Sequence, residues 1–246
     1  MSDHELAGDL ATRAGELLLV VREELTYATA ERRKAVGDSR SHEFLMAELA
    51  RVRPGDAVLS EEGLDDPARL TASRVWIVDP LDGTREFSEP GRDDWAVHVA
   101  LWQDGELVAG AVALPAQGVT LVTPDVPVPA PAAGPPRVVV SRTRPPALAL
   151  AVRDALGGSL VEMGSAGAKV AAIVQGRAEV YVHAGGQYEW DSAAPVAVAR
   201  AAGLHTSRID GSPLRYNQTD SKLPDLIVCR PAYAEAILAV TGGSAG

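Results

Sequence analysis

The spacing of apolar positions divides the chain into a helical opening, a run of strands, and a stretch where strands and helices alternate. Over residues 3–25, Leu6, Leu10, Leu17, Val21 and Leu25 fall on one face while Glu5, Asp9, Arg13 and Glu16 fall largely elsewhere, which predicts an amphipathic helix. Residues 26–36 are polar and aperiodic and predict a loop. A second helix is expected over 41–52, with Phe44, Leu45 and Leu49 inward. Asp38 stands just before it, where the helix dipole favours an acid. Ala57-Val58-Leu59-Ser60 is a short apolar run ending in Glu61-Glu62. Arg74-Val75-Trp76-Ile77-Val78 reads as a buried strand. Pro80 pushes Asp79 to an extended conformation and ends that strand there, and Asp82-Gly83 supplies a tight turn. Three further strands are expected at 96–102, 107–114 and 119–123, the first two joined by the hairpin signal Asp104-Gly105. Together they predict an antiparallel sheet packed on the first two helices. The preceding loop, Gly91-Arg92-Asp93-Asp94, reads equally as a solvated turn or as a substrate contact.

Pro124, Pro127, Pro129, Pro131, Pro135 and Pro136 rule out helix or central strand and predict an extended connector. Beyond it, strands at 137–141, 159–162, 178–183 and 226–229 alternate with helices at 147–156, 166–175, 192–202 and 233–240. Such alternation predicts a parallel or mixed sheet covered by helices. The expected class is therefore α/β, in two halves, 1–125 and 137–246, joined by residues 126–136. No internal repeat is visible.

Composition narrows the function. At 246 residues the chain can bury a sizeable core. A formal net charge of −10 argues against nucleic acid or an anionic membrane as the main partner. A small anionic substrate stays possible, because a bound cation reverses the local sign of a site. Cys229 is the only cysteine, which excludes an intrachain disulfide and suits a reducing compartment. No apolar run reaches membrane-spanning length, and no export signal is apparent, so a cytoplasmic location is expected.

The chemistry concentrates at three acidic ends of elements: Glu61-Glu62, Asp79-Pro80-Leu81-Asp82-Gly83-Thr84, and Trp190-Asp191-Ser192-Ala193-Ala194-Pro195. Two carboxylates on one turn repel unless a cation neutralises them, and a hard cation such as Mg²⁺ takes oxygen ligands of this kind. Taken singly, each could be a solvated surface turn. Ser141, at a strand end, and Ser165, at a helix start, read as capping residues. Lys169, one helical turn beyond Ser165, is either solvated or within reach of a ligand. His183, at a strand end, is a possible donor, although a lone histidine is more often structural. The Trp190 ring reads as core.

In their order and joint occurrence the three acidic motifs resemble the Mg²⁺-dependent, lithium-sensitive inositol-monophosphatase-like phosphatases, and over nearly the whole length most resemble the bacterial 3'(2'),5'-bisphosphate nucleotidases of the CysQ type. The resemblance implies a layered αβαβα sugar-phosphatase fold and a homodimer. It also implies two or three Mg²⁺ ions held by Glu61, Asp79, the Leu81 carbonyl, Asp82 and Asp191, with Li⁺ as an inhibitor. Glu62 would be a further ligand or an acceptor behind them. Asp38 would pair with Thr84 to orient the attacking water, with Glu61 also in the catalytic set. The family's usual Thr-x-Ala-Asp is here Ala35-Val36-Gly37-Asp38. Gly83, Thr84, Ser141, Gly164, Ser165, Ala166, Lys169, His183 and Asp191 would contact substrate. The implied reaction is hydrolysis of adenosine 3',5'-bisphosphate to AMP and phosphate, with 3'-phosphoadenylyl sulfate as a second substrate. Inositol monophosphatase or fructose-1,6-bisphosphatase activity is the rival among enzymes. A regulatory binding protein that kept the fold is the rival outside them.

Overall fold

The computed structural model describes residues 1–130 and 134–242. Helix α1 (Asp3–Glu24) opens with Ser2 accepting from the Glu5 N–H while the Glu5 carboxylate accepts from the Ser2 N–H, a capping box that satisfies two orphan donors. Helix α2 (Ala30–Val52) begins well before the expected Ser41 and takes in most of the predicted loop. Thr29 caps it, and the Arg33 guanidinium donates to the carbonyls of Leu25, Thr26 and Ala28 at the end of α1 and to Ser88 O. Those contacts are tertiary, so the polar segment carries no periodicity that announces a helix. Asp38 consequently lies inside α2 rather than ahead of it.

The first sheet runs β1 (Ala57–Ser60), β2 (Arg74–Asp82), β3 (Ala96–Gln103), β4 (Glu106–Leu114), β5 (Val119–Val122), in that order. It is antiparallel except that β1 pairs parallel with β2, a departure from the expected all-antiparallel sheet. A 3-10 turn at Pro67–Thr71 lies in the β1–β2 crossover. Pairing of β2 with β3 is regular up to Asp79↔His98, breaks, and resumes at Asp82↔Ala96. The strand thus passes Pro80 through an irregularity instead of ending at Asp79. The short helix α3 (Thr84–Ser88) follows directly.

After the connector, whose residues 131–133 lie outside the described set, come β6 (Arg137–Ser141), α4 (Ala147–Ala155), β7 (Ser159–Met163), α5 (Ala166–Val174), β8 (Val180–Tyr188), α6 (Glu189–Ala201), β9 (His205–Ser207), β10 (Lys222–Cys229) and α7 (Pro231–Thr241). The second sheet has the order β7-β6-β8-β10-β9, parallel around β6 and antiparallel around β10. The edge strand β9 falls between 202 and 226, where the apolar pattern predicts no element. β8 extends five residues past its expected end, so His183 sits inside it and not at its terminus.

Helices α1 and α2 cover one face of the first sheet, α5 and α6 fill the space between the two sheets, and α4 with α7 closes the far face of the second. This is a five-layer αβαβα arrangement. The central core joins Leu59 and Ile77 from the first sheet to Val139, Tyr181 and Val228 from the second, through Ile173 and Val198 of the middle helices. Each such side chain contributes about 1.5–3 kcal/mol by leaving water, so chain on both sides of the connector depends on one shared core. The ends of β1 and β2 and the start of α6 are thereby held together.

Candidate active site

Asp79, Asp82 and Asp191 meet at these ends, offering carboxylate oxygens that all lie within 4.8 Å of one another. β2 delivers the first two; Asp191, third residue of α6, is delivered by the packing of that helix on β2, β3 and β4. Asp79 and Asp82 are almost fully buried. Asp79 Oδ1 accepts the Leu81 N–H at 2.9 Å, which sets the bend through Pro80. Burial, then the charges of Glu61, Asp82 and Asp191, hold the Asp79 carboxyl well above its usual range. Burial and Asp82 push Asp191 up to about 7. Glu61 rises to about 7 from the desolvation of its carboxylate at the cleft and the charges of Asp82, Glu62 and Asp38, although its side chain opens to solvent.

Asp82 behaves differently. Its Oδ2 accepts from Ser165 Oγ at 2.5 Å and Gly167 N at 2.7 Å, and lies 3.2 Å from His98 Nε2. Burial works against its ionisation, but the His98 charge and these donors outweigh it and hold the carboxyl at about 2. His98 is buried on β3, and its Nδ1 donates to Trp190 O at 3.1 Å. Burial opposes a charge on His98 too, yet Asp82 carries its pKa above the ordinary value. Gly167 is required by close approach, since a Cβ there would come within 2.1 Å of His98 Nε2. Ser165 adopts φ 45°, a strained conformation for a residue with a side chain, and its hydroxyl also accepts the Ala168 N–H at 2.9 Å.

Thr84 Oγ1 lies 3.0 Å from Leu81 O and 3.4 Å from Asp38 Oδ1, so its single hydrogen chooses between them. Burial and the neighbouring Glu62 raise the Asp38 carboxyl to about 6. Gly83 adopts φ 85° and turns the chain from β2 into α3.

The remaining expected residues spread around this centre. Lys169 is not solvated: it is buried, donates to Ser165 O at 3.0 Å and lies over the Tyr181 ring. Burial lowers its pKa against the pull of Asp82, Glu86, Asp191 and Asp94. Burial and Lys169 bring His183 down to about 4, leaving a neutral ring. Ser141 ends β6 and accepts the Arg144 N–H at 3.4 Å, a local turn contact. Ala166 is buried at the start of α5. The Gly164 N–H donates to Asp94 Oδ2 at 2.6 Å, and Arg92 pairs with the same carboxylate, so the 91–94 loop is tied to the site rather than freely solvated. Trp190 is only partly buried and stacks on Tyr188. Sequence reasoning missed His98 and Glu86, and left Asp94 open within the 91–94 loop. A single histidine inside the apolar run of β3 was the available signal for His98; Glu86 had none.

The donor set is all oxygen and mutually repulsive, with Asp79 and Asp82 buried, which fits hard divalent cations. Asp79, Asp191, Glu61, the Leu81 carbonyl and the second oxygen of Asp82 are the groups available to hold them. A profile described as the Inositol monophosphatase family matches residues 4–125 and 138–241.

The chain belongs to the inositol monophosphatase family.

Within the family it is 52% identical to a 3'-phosphoadenosine 5'-phosphate phosphatase of Mycobacterium leprae, over 98% of this chain and 93% of that protein. It is 32% identical to the 3'(2'),5'-bisphosphate nucleotidase CysQ of Escherichia coli, covering 76% of this chain and 80% of that one. The crystal structure of CysQ from Bacteroides thetaiotaomicron superposes with a TM-score of 0.77 at 29% identity, covering 93% of this chain and 97% of the other.

Proposed function

We propose that this protein is a Mg²⁺-dependent 3'(2'),5'-bisphosphate nucleotidase that hydrolyses adenosine 3',5'-bisphosphate to AMP and phosphate, with 3'-phosphoadenylyl sulfate as a second substrate. The observation that carries the substrate is the near-full-length 52% identity to a relative bearing that name. The buried carboxylate cluster supports the chemistry.

Glu61, Asp79, Leu81 O, Asp82 and Asp191 would hold two or three Mg²⁺ ions, which would supply the positive charge that phosphoryl transfer needs. Thr84 Oγ1 orients the attacking water, and Asp38, raised to about 6, takes up its proton. The Gly83 and Thr84 N–H groups, at the opening turn of α3, hold phosphate oxygens. Ser165 and Gly167 act through Asp82, fixing one of its oxygens so that the other faces the cation. Lys169 lends positive charge from beneath the cluster, and Ser141, Gly164, Ala166 and His183 frame the substrate side. Glu62 stands behind Glu61. A binding protein would have no use for a threonine and an aspartate poised in this way.

Phosphate release should be measured on adenosine 3',5'-bisphosphate, 3'-phosphoadenylyl sulfate, inositol 1-phosphate and fructose 1,6-bisphosphate, with Mg²⁺ and with chelator. Mg²⁺-dependent turnover highest on the bisphosphate nucleotide is expected. Preference for inositol 1-phosphate or fructose 1,6-bisphosphate would overturn the substrate, and absence of turnover on all four would overturn the enzyme. A homodimer, read from family likeness, is checked by native mass. For location, the structural support is that no helix among the described residues is long and apolar enough to cross a membrane.

A further inference from the structure

Tyr188 closes β8, and its N–H donates to Asp191 Oδ2 at 2.6 Å, which places its backbone at the rim of the acid cluster. Its ring lies flat on Trp190, with centroids 4.7 Å apart and planes 5° from parallel. Trp190 is anchored below, packed against the central core, with its carbonyl held by His98. Tyr188 itself keeps 40% of its surface exposed. One face of the phenol is therefore stacked on a partly buried indole while the ring remains accessible, three residues from a carboxylate of the reacting centre. Exposure alone means little, since Tyr27 is fully exposed with no such setting. A ring with a locked plane at the mouth of a phosphoester site is different, because its orientation is settled before any ligand arrives.

A phosphate held over Asp79, Asp82 and Asp191 by cations would have this rim within reach of its organic part. Inositol and sugar phosphates present hydroxyls there, which gain little from a π face. A nucleotide presents a flat π system. We propose that Tyr188, backed by Trp190, is the shelf on which the nucleobase of the substrate stacks, and that this pair separates nucleotide from inositol and sugar phosphates. The inference rests on the nucleotidase reading and deepens it. Stacking of this kind tolerates any base, so exchanging adenine for guanine costs little, and pyrimidines suffer only from their smaller overlap.

The test compares kcat/KM on adenosine 3',5'-bisphosphate with kcat/KM on methyl riboside 3,5-bisphosphate, which keeps both phosphates and lacks the base. The ratio of the two is measured in the wild type and in Tyr188→Ala, Tyr188→Phe and Tyr188→Trp. Base–aromatic stacking predicts that Tyr188→Ala lowers this ratio by roughly ten- to hundredfold, while Phe and Trp hold it within about threefold. A parallel loss on both substrates would make the ring a mere support for Asp191, and an unchanged ratio would remove it from the ligand; either overturns the shelf. So would a change in native mass in Tyr188→Ala, which would mean that a second copy of the chain covers the ring. If the wild type turns over neither bisphosphate, the nucleotidase reading fails separately. AMP binding by calorimetry then decides the shelf: affinity at least tenfold weaker in Tyr188→Ala supports it, and equal affinity refutes it.

Discussion

Withdrawing Mg²⁺ should make this protein less stable as pH rises, and the site says by how much. Asp191 and Glu61 are raised to about 7, and Asp79 stands well above its ordinary value. Each holds its proton more tightly folded than unfolded. Between the unfolded value and the folded one the native state binds more protons, so unfolding free energy falls as pH rises through that window. For Asp191, passage from 3.8 to about 7 sets a ceiling near 4 kcal/mol, at about 1.4 kcal/mol per pH unit. The cluster titrates as a unit, so contributions do not add, and about 2–4 kcal/mol is the expected net loss. Asp82 works in the opposite direction, but its contribution is lost only in acid, as pH falls from the ordinary 3.8 towards about 2. In a chain of this length each kcal/mol shifts Tm by about 2–4 °C, so Tm of chelator-treated protein should drop by roughly 5–15 °C between about pH 4 and pH 8. Saturating Mg²⁺ should abolish most of that drop, because the cations replace the protons. The assay is scanning calorimetry across that range, with and without Mg²⁺, on wild type and Asp191→Asn. Surface repulsion from the excess of acids also grows with pH, so the mutant is the control: its metal-free slope should flatten. A metal-free Tm that stays level or rises, or an Asp191→Asn slope equal to wild type, would refute the argument.

The two aspartates of β2 should respond differently to amidation. Asp79→Asn should cut Mg²⁺-dependent turnover by at least about two orders of magnitude without lowering metal-free Tm, since the carboxyl already holds its proton there and the amide replaces one neutral group with another. Asp82→Asn should lose activity and Tm together, because the amide offers the Ser165, Gly167 and His98 donors only a neutral oxygen and turns its NH₂ toward the cation side; unchanged Tm would contradict that reading. Gly167→Ala should cost about 1–3 kcal/mol by forcing a methyl onto His98, and a calorimetric Tm equal to wild type would show that the helix yields instead. Lithium should inhibit at submillimolar to millimolar levels in steady-state titrations where sodium and potassium do not; equal behaviour of the three ions would place the metal geometry in doubt.

Residues 137–141 and the helices α1 and α4 were legible because local periodicity decides them. The acidic motifs were legible because carboxylates beside Pro, Gly and Thr at element ends have few structural uses. Polar segments that become ordered through distant partners were not legible. The first turns of α2 depend on Arg33 reaching the end of α1, and β9 depends on an open edge of β10. The same limit applied inside the site. Sequence placed Asp79 and Asp82 side by side as equivalent ligands, and only the packing of α5 against β3 makes one a proton-holding acid and the other a permanent anion. That packing brings Ser165, Gly167 and His98 to one oxygen of Asp82 across 16 to 85 residues of chain. Short-range pattern records what a residue prefers within a few neighbours. The charge state of a buried carboxylate is set by whichever donors the fold carries to it, and no spacing along the chain encodes them.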